Sequence, residues 1–129
     1  MFHNRKHDRI SLAIDAHGSW RLALRRAITT GKMGKSVQNV ADSHACILGA
    51  WLHGPEIDAA IRDTPAFRLI DRLHDEFHQA SGEIAQLVEH GRLAEAEALL
   101  AGDWLAKSNC LLEALENWRG ELGPARGAR

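Results

Sequence analysis

Apolar positions recur every three to four residues over most of the chain, which is the period of an amphipathic α-helix. Between residues 5 and 29 this stripe comprises Ile10, Ile14, His17, Trp20, Leu24 and Ile28. A second long stripe lies between residues 65 and 90, at Phe67, Ile70, His74, Phe77, His78, Ser81, Ile84 and Val88. Alternating apolar and polar runs are hard to find, so no β-sheet is expected.

Turn and capping residues divide the periodic segments into separate helices. The predicted long helices run over Arg5–Thr29, Ser36–Leu52, Pro65–His90 and Leu93–Arg119, and a short helical piece covers Glu56–Arg62. In the fourth helix, Gly102 and Asp103 are expected to cause a bend or a split. We therefore predict an all-α four-helix bundle with a short additional helix. It forms a single domain over residues 1–129, with its core at about 5–119 and a flexible tail at 120–129.

Composition narrows the class of partner. The 129 residues carry a net charge of −1 with neutral histidines, which provides no basic field for nucleic acid or an anionic membrane. No apolar run is long enough to span a bilayer, and "MFHNRKHDRI" lacks the apolar region of a secretory signal. We therefore expect a cytoplasmic location and no nucleic-acid or membrane partner.

Four residues with metal-ligating side chains fall on the predicted helices: His17, Cys46, His74 and His78. His74 and His78 are spaced i, i+4, so their rings project from one helix face. Three helices would thus bring three imidazoles and a thiol towards a shared core, a set that suits tetrahedral zinc. Taken singly, His17 is as well explained as a hydrogen-bonded core residue and Cys46 as a small buried apolar residue.

The motifs "HGSW" (17–20), "CILGAW" (46–51) and "HDEFH" (74–78) resemble, in this order and spacing, the chemoreceptor zinc-binding (CZB) domain family. The Cys-x-Leu-Gly-x-Trp box is the most specific part, and the resemblance covers roughly residues 5–118. One departure is Ser19, where the family pattern has a larger apolar residue. The chain has no room for an attached output module, so it resembles a stand-alone form or an excised piece.

The resemblance implies a cytoplasmic, non-catalytic helical bundle, often dimeric, that binds Zn²⁺ through His17, Cys46, His74 and His78. It implies two signals, zinc availability and oxidation of the zinc-bound Cys46 by hypochlorous acid. It also implies a homodimer and a chemoreceptor or diguanylate cyclase as signalling partner. Because thiolate is the form of cysteine that reacts with oxidants, Cys46 is the expected redox trigger.

The residues around the cysteine box have alternative roles. Gly49 allows either close helix packing or space for the metal cluster, and Trp20 and Trp51 fit a core or a dimer interface. Three aspartates are either acceptors for ligand imidazoles or solvated: Asp42, Asp71 and Asp75. His44 and His53 are expected at the surface.

Other interpretations remain open at this point. Cys110 is predicted to be buried and inert, with a disulfide to oxidised Cys46 as the alternative. A di-iron protein would need several inward carboxylates, and the sequence offers only Asp71-x-x-His74, Asp75-x-x-His78 and Asp15. A metal-free helical dimerisation adaptor is the third candidate function.

Overall fold

The computed structural model describes residues 5–122, and these residues form helices without any strand. The α-helices are α1 (Arg5–Thr30), α2 (Val37–Ala41), α3 (Ile47–Leu52), α4 (Ala59–Arg62), α5 (Pro65–Glu89), α6 (Leu93–Leu99) and α7 (Leu105–Glu121). A 3₁₀ turn (Ser43–Ala45) separates α2 from α3, and a π-helical turn (Leu100–Trp104) joins α6 to α7. The predicted all-α helical bundle is confirmed.

Helix α5 is the central element of the bundle. It begins where the Thr64 side chain accepts a hydrogen bond from the Phe67 N–H group, with Pro65 in the first helical turn. Its buried face contacts α1, α2, α6 and α7. Because this face includes His74 and His78, the helix that fills the core also carries two of the predicted metal ligands.

The prediction of one continuous second helix over Ser36–Leu52 is wrong. The segment is α2, a 3₁₀ turn and α3, with extended backbone at Asp42 and at Cys46. The Asp42 carboxylate accepts a hydrogen bond from the His44 N–H group and so begins the 3₁₀ turn. Cys46 is the N-cap of α3, not a residue within a helix.

The fourth helix runs from α6 through the π-helical turn into α7. The irregularity predicted at Gly102 and Asp103 is therefore a π-helical turn within a continuous helix. Trp104, at the end of this turn, is fully buried, and its Nε1 donates a hydrogen bond to Ser81 Oγ at 2.8 Å. That contact fixes α7 against α5.

The last helix continues to Glu121, two residues further than predicted. Residues 123–129, the remainder of the predicted tail, lie outside the described residues. Within the described range, no helix is both long and apolar enough to cross a membrane.

Helices α2 and α5 approach closely at Gly82. A Cβ atom built on Gly82 would lie 2.7 Å from the Ala41 Cβ, nearer than carbon atoms pack. By contrast, a Cβ on Gly18, inside α1, would meet nothing within 4 Å. Two glycines within helices therefore differ only in whether a neighbouring helix occupies the space.

We expect Gly82→Ala to destabilise the protein by about 1–3 kcal/mol, because α2 must move away from α5. Gly18→Ala should stabilise it by up to about 1 kcal/mol through helix propensity. Urea unfolding of both variants, with metal removed, measures the two free energies. A Gly82→Ala protein as stable as the Gly18→Ala protein would contradict the close approach.

Candidate metal centre

Cys46 lies at the junction between the 3₁₀ turn and α3. Its thiol is 3.5 Å from the Ser43 carbonyl oxygen, to which it can donate, and its Sγ accepts from the Gly49 N–H group at 3.4 Å. The sulfur thus takes the place of the oxygen of a usual N-cap residue. It is partly buried, and it sits at the N-terminal end of α3 rather than on a helix face.

Gly49 makes this turn possible. A Cβ at position 49 would overlap the Ser43 carbonyl oxygen and crowd the His44 Cα. The backbone of the 3₁₀ turn therefore packs directly on the first turn of α3. Of the two alternatives for Gly49, close packing applies, although the neighbour is the 3₁₀ turn and not a second long helix.

Helix α5 brings two imidazoles to the same place. His74 Nε2 is 3.1 Å from Cys46 Sγ, and the rings of His74 and His78 meet edge to face with centroids 4.6 Å apart. His78 Nδ1 donates to the Val40 carbonyl oxygen at 2.9 Å. That hydrogen bond leaves Nε2 of His78 as the nitrogen with a free lone pair.

Cys46, His74 and His78 meet the requirements of a zinc site. One donor atom from each residue lies within 4.8 Å of the others, and both histidines are buried. His78 Nε2 is buried with no hydrogen-bond partner among the described residues. A buried nitrogen facing a thiol and a second imidazole is what a bound cation satisfies, and this soft donor set favours zinc over magnesium or calcium.

His17 is the fourth predicted ligand, and its role remains a prediction. It lines a small cavity of about 20 Å³ together with Cys46, His74 and His78. Its Nε2, however, makes a 2.7 Å hydrogen bond with Ser108 Oγ, and it is not part of the cluster of three. The structure therefore brings together three of the four residues and places the fourth beside them.

Burial controls protonation in the centre. It lowers the pKa of His17 to about 4 and that of His74 to about 3, and nearby His78 contributes to both shifts. Burial likewise raises the pKa of the Cys46 thiol. At neutral pH the imidazoles are therefore neutral, the form that binds metal, whereas the thiol must lose a proton on binding.

The predicted aspartate acceptors serve other groups. Asp71 lies 3.0 Å from His53 Nε2, and the Asp75 carboxylate accepts a hydrogen bond from the Ser43 hydroxyl. His44 and His53 are exposed as predicted, but their rings also stack, with centroids 4.2 Å apart. The acceptor that orients a ligand imidazole is a backbone carbonyl, which no side-chain pattern reveals.

Cys110 is exposed on α7, so the prediction that it is buried is wrong. The buried positions of α7 are Ser108, Leu111, Ala114, Leu115 and Trp118, and Cys110 lies outside this stripe.

Trp51 is a core residue, with its ring 5.5 Å from that of Trp118. Trp20 is partly buried and packs edge-on against His78.

A larger cavity of about 480 Å³ opens beside the centre. Cys46 and His78 form part of its wall, and Trp20 and Lys35 lie at another side, with the Lys35 Nζ 5.4 Å from the Trp20 ring centre. The cavity thus borders the cysteine of the centre.

Comparison with known proteins identifies a family. The family model described as chemoreceptor zinc-binding domain matches residues 17–85, which is more than half of the chain and includes all four predicted ligands. No curated protein and no solved structure matches the chain.

We expect Gly49→Ala to lower zinc affinity by at least about tenfold, since the added Cβ would displace the 3₁₀ turn and with it Cys46. Gly102→Ala is the control, because a Cβ there has open space. Competition titration with a chromogenic zinc chelator measures both affinities. Equal affinities in the two variants would show that the position of the turn does not matter.

The metal-stripped protein should lose stability as the pH falls. Unfolded imidazoles protonate near pH 6.5, whereas folded His17 and His74 stay neutral down to about 4 and about 3. Stability is therefore complete above pH 6.5 and decreases below it, by up to about 1.4 kcal/mol per pH unit for each group. Urea unfolding in chelator between pH 7.5 and 4.5 tests this. His17→Leu and His74→Leu should each flatten the slope, and an unchanged slope in both would contradict the assignment.

Proposed function

The chain belongs to the chemoreceptor zinc-binding domain family, and from this premise we propose that it senses oxidant through a zinc-bound Cys46 and signals to a partner protein. As a member of this family it is a zinc-binding sensory domain. The observation that carries the proposal is the buried His78 Nε2, which has no hydrogen-bond partner within residues 5–122 and lies within 4.8 Å of donor atoms of Cys46 and His74.

The reactivity of Cys46 would depend on metal occupancy. Without a cation, burial raises the pKa of the thiol and keeps the unreactive protonated form. When bound, zinc supplies the charge that stabilises the thiolate. Since thiolate is the nucleophile, oxidant reactivity should follow zinc occupancy, and both signals, zinc and oxidant, would be detected at one residue.

The oxidation itself requires one oxidant molecule. The Cys46 sulfur attacks the chlorine-bearing oxidant hypochlorous acid, and the products are the sulfenic acid and chloride: RS⁻ + HOCl → RSOH + Cl⁻. Sulfur loses two electrons and the chlorine gains them. The cavity of about 480 Å³ offers the oxidant access to the sulfur.

Loss of the sulfur ligand would act on the short segment that begins at Cys46. Cys46 begins α3, a helix of only six residues, and α3 packs against α1. His74 and His78 lie within the 25-residue α5 and would stay in place. Oxidation would therefore release the 3₁₀ turn and α3 from α5, a local change suited to a switch.

The partner surface is proposed on α1 and the start of α3. Leu12, Leu22 and Ile47 expose 52%, 69% and 58% of their surface, which is high for large apolar side chains. We propose that this region contributes to a homodimer and to contact with an output protein, with no catalytic activity in the chain itself. Light scattering that shows a monomer at micromolar concentration would argue against the dimer.

The donor set argues against the two alternative functions, a di-iron protein and a metal-free dimerisation adaptor. A di-iron centre needs clustered carboxylates, and the cluster found within residues 5–122 consists of a cysteine and two histidines. A metal-free adaptor would leave His78 Nε2 buried and without a hydrogen-bond partner in the described part of the chain.

Zinc release on oxidation tests the proposal. The purified parent protein should contain one zinc ion per chain and release it on stoichiometric treatment with hypochlorous acid, read with a chromogenic chelator. Cys46→Ser should bind zinc at least about tenfold more weakly, because a hydroxyl replaces the soft ligand. Cys110→Ser is the matched control, since its thiol is exposed and outside the cluster, and it should behave as the parent.

Two outcomes would contradict the proposal. A Cys46→Ser protein that keeps both its zinc affinity and its release by oxidant would show that Cys46 is not the sensor. Release that disappears in Cys110→Ser would assign the sensing thiol to α7.

A further inference from the structure

A buried hydrogen bond joins the first helix to the last at the edge of the metal centre. His17 Nε2 on α1 and Ser108 Oγ on α7 are 2.7 Å apart, with 6% and 5% of the two residues exposed. Such a bond between buried groups has few competitors from solvent.

The same ring borders the cluster of Cys46, His74 and His78. It lines the small cavity that these three residues also line, yet no His17 nitrogen lies within 4.8 Å of all three of their donor atoms. Donor atoms that share a tetrahedral zinc ion stand roughly 3–4 Å apart, as the Zn–N and Zn–S bond lengths require. If Nε2, the nitrogen that now bonds Ser108, is to bind the same ion, the His17 ring must leave Ser108 and approach the cluster.

Two aromatic rings flank the His17 ring. His17 lies against Phe77 with ring centroids 4.2 Å apart, and it is nearly parallel to Trp104 at 6.4 Å. Trp104 ends the π-helical turn, and Ser108 follows it by four residues, one helical turn further on. The π-helical turn thus sets the register that presents both Trp104 and Ser108 to His17.

We propose that Ser108 competes with zinc for His17, so that the chain exchanges a hydrogen bond between α1 and α7 for a metal bond between α1 and α5. The inference rests on the proposed zinc function. It deepens that function by giving Ser108 two effects. The hydroxyl lowers zinc affinity by stabilising the metal-free arrangement, and it receives His17 when Cys46 is oxidised and the metal leaves.

The direction of the effect separates competition from a simple structural role. Removing the hydroxyl destabilises only the arrangement in which His17 binds Ser108, since the zinc-bound arrangement does not use that bond. A neutral hydrogen bond of ordinary net strength then corresponds to about three- to tenfold tighter zinc binding. A residue that only supports the fold would instead weaken binding when it is truncated.

Zinc affinities of the parent, Ser108→Ala and Ser81→Ala proteins test this. Ser108→Ala should bind zinc about three- to tenfold more tightly, with a lower melting temperature in chelator and an unchanged one when zinc is bound. Ser81→Ala is the control: its buried hydroxyl bonds Trp104 and the Phe77 carbonyl, and it should lower both melting temperatures alike. In a His17→Ala background, Ser108→Ala should leave zinc affinity unchanged.

Weaker or unchanged zinc binding by Ser108→Ala would overturn the inference, as would a gain of the same size in the His17→Ala background. In each of these cases the parent still binds zinc, so the proposed function stands. A parent protein that binds no zinc would overturn the proposed function and this inference together.

Discussion

The short contact between the Cys46 sulfur and His74 Nε2, with His78 Nε2 unsatisfied beside it, is the constraint on which the structure depends. A buried polar atom without a partner costs about 1–3 kcal/mol, and a core of this size would ordinarily avoid it. The Val40 carbonyl holds the His78 ring so that its free lone pair points to the cluster rather than to a protein donor. The core is therefore arranged for a cation.

The broken second helix follows from the same constraint. A continuous helix over residues 36–52 would place Cys46 on a helix face, with its sulfur directed by the helix register alone. The breaks at Asp42 and Cys46 replace that register with a turn, which Gly49 allows the backbone to make. The fold thus gives up several backbone hydrogen bonds of a helix to place one sulfur atom near α5.

The sequence predicts the long helices well, because their apolar stripes and capping residues are local signals that the core then reinforces. It predicts the histidine pair from the i, i+4 spacing, and the resemblance to the family links that pair to Cys46. It does not predict the break between α2 and α3, since "SHACILGAWLHG" has no proline and only one internal glycine. The overlap that a Cβ at position 49 would make with Ser43 arises only once the turn has formed, so the sequence alone does not reveal it.

The pattern of apolar and polar residues also does not predict contacts between residues that are distant in sequence. His17 and Ser108 stand 91 positions apart, and their pairing depends on a π-helical turn that shifts the register of α7. The same dependence on register explains the exposure of Cys110, which adjoins the buried stripe but is not part of it. The position of His17 on an apolar stripe thus predicts its burial, but only the packed structure shows its hydrogen-bond partner.

The predicted ligands lie on elements of different length and packing. Helix α5 carries two imidazoles and contacts every other long helix. The remaining donors lie on elements with alternatives: Cys46 on a six-residue helix, and His17 on a helix that already has a hydrogen-bond partner in α7. A metal ion at such a site would join these elements to α5. Its binding or loss would therefore alter how α1 and α3 pack, and these helices also carry the exposed Leu12, Leu22 and Ile47.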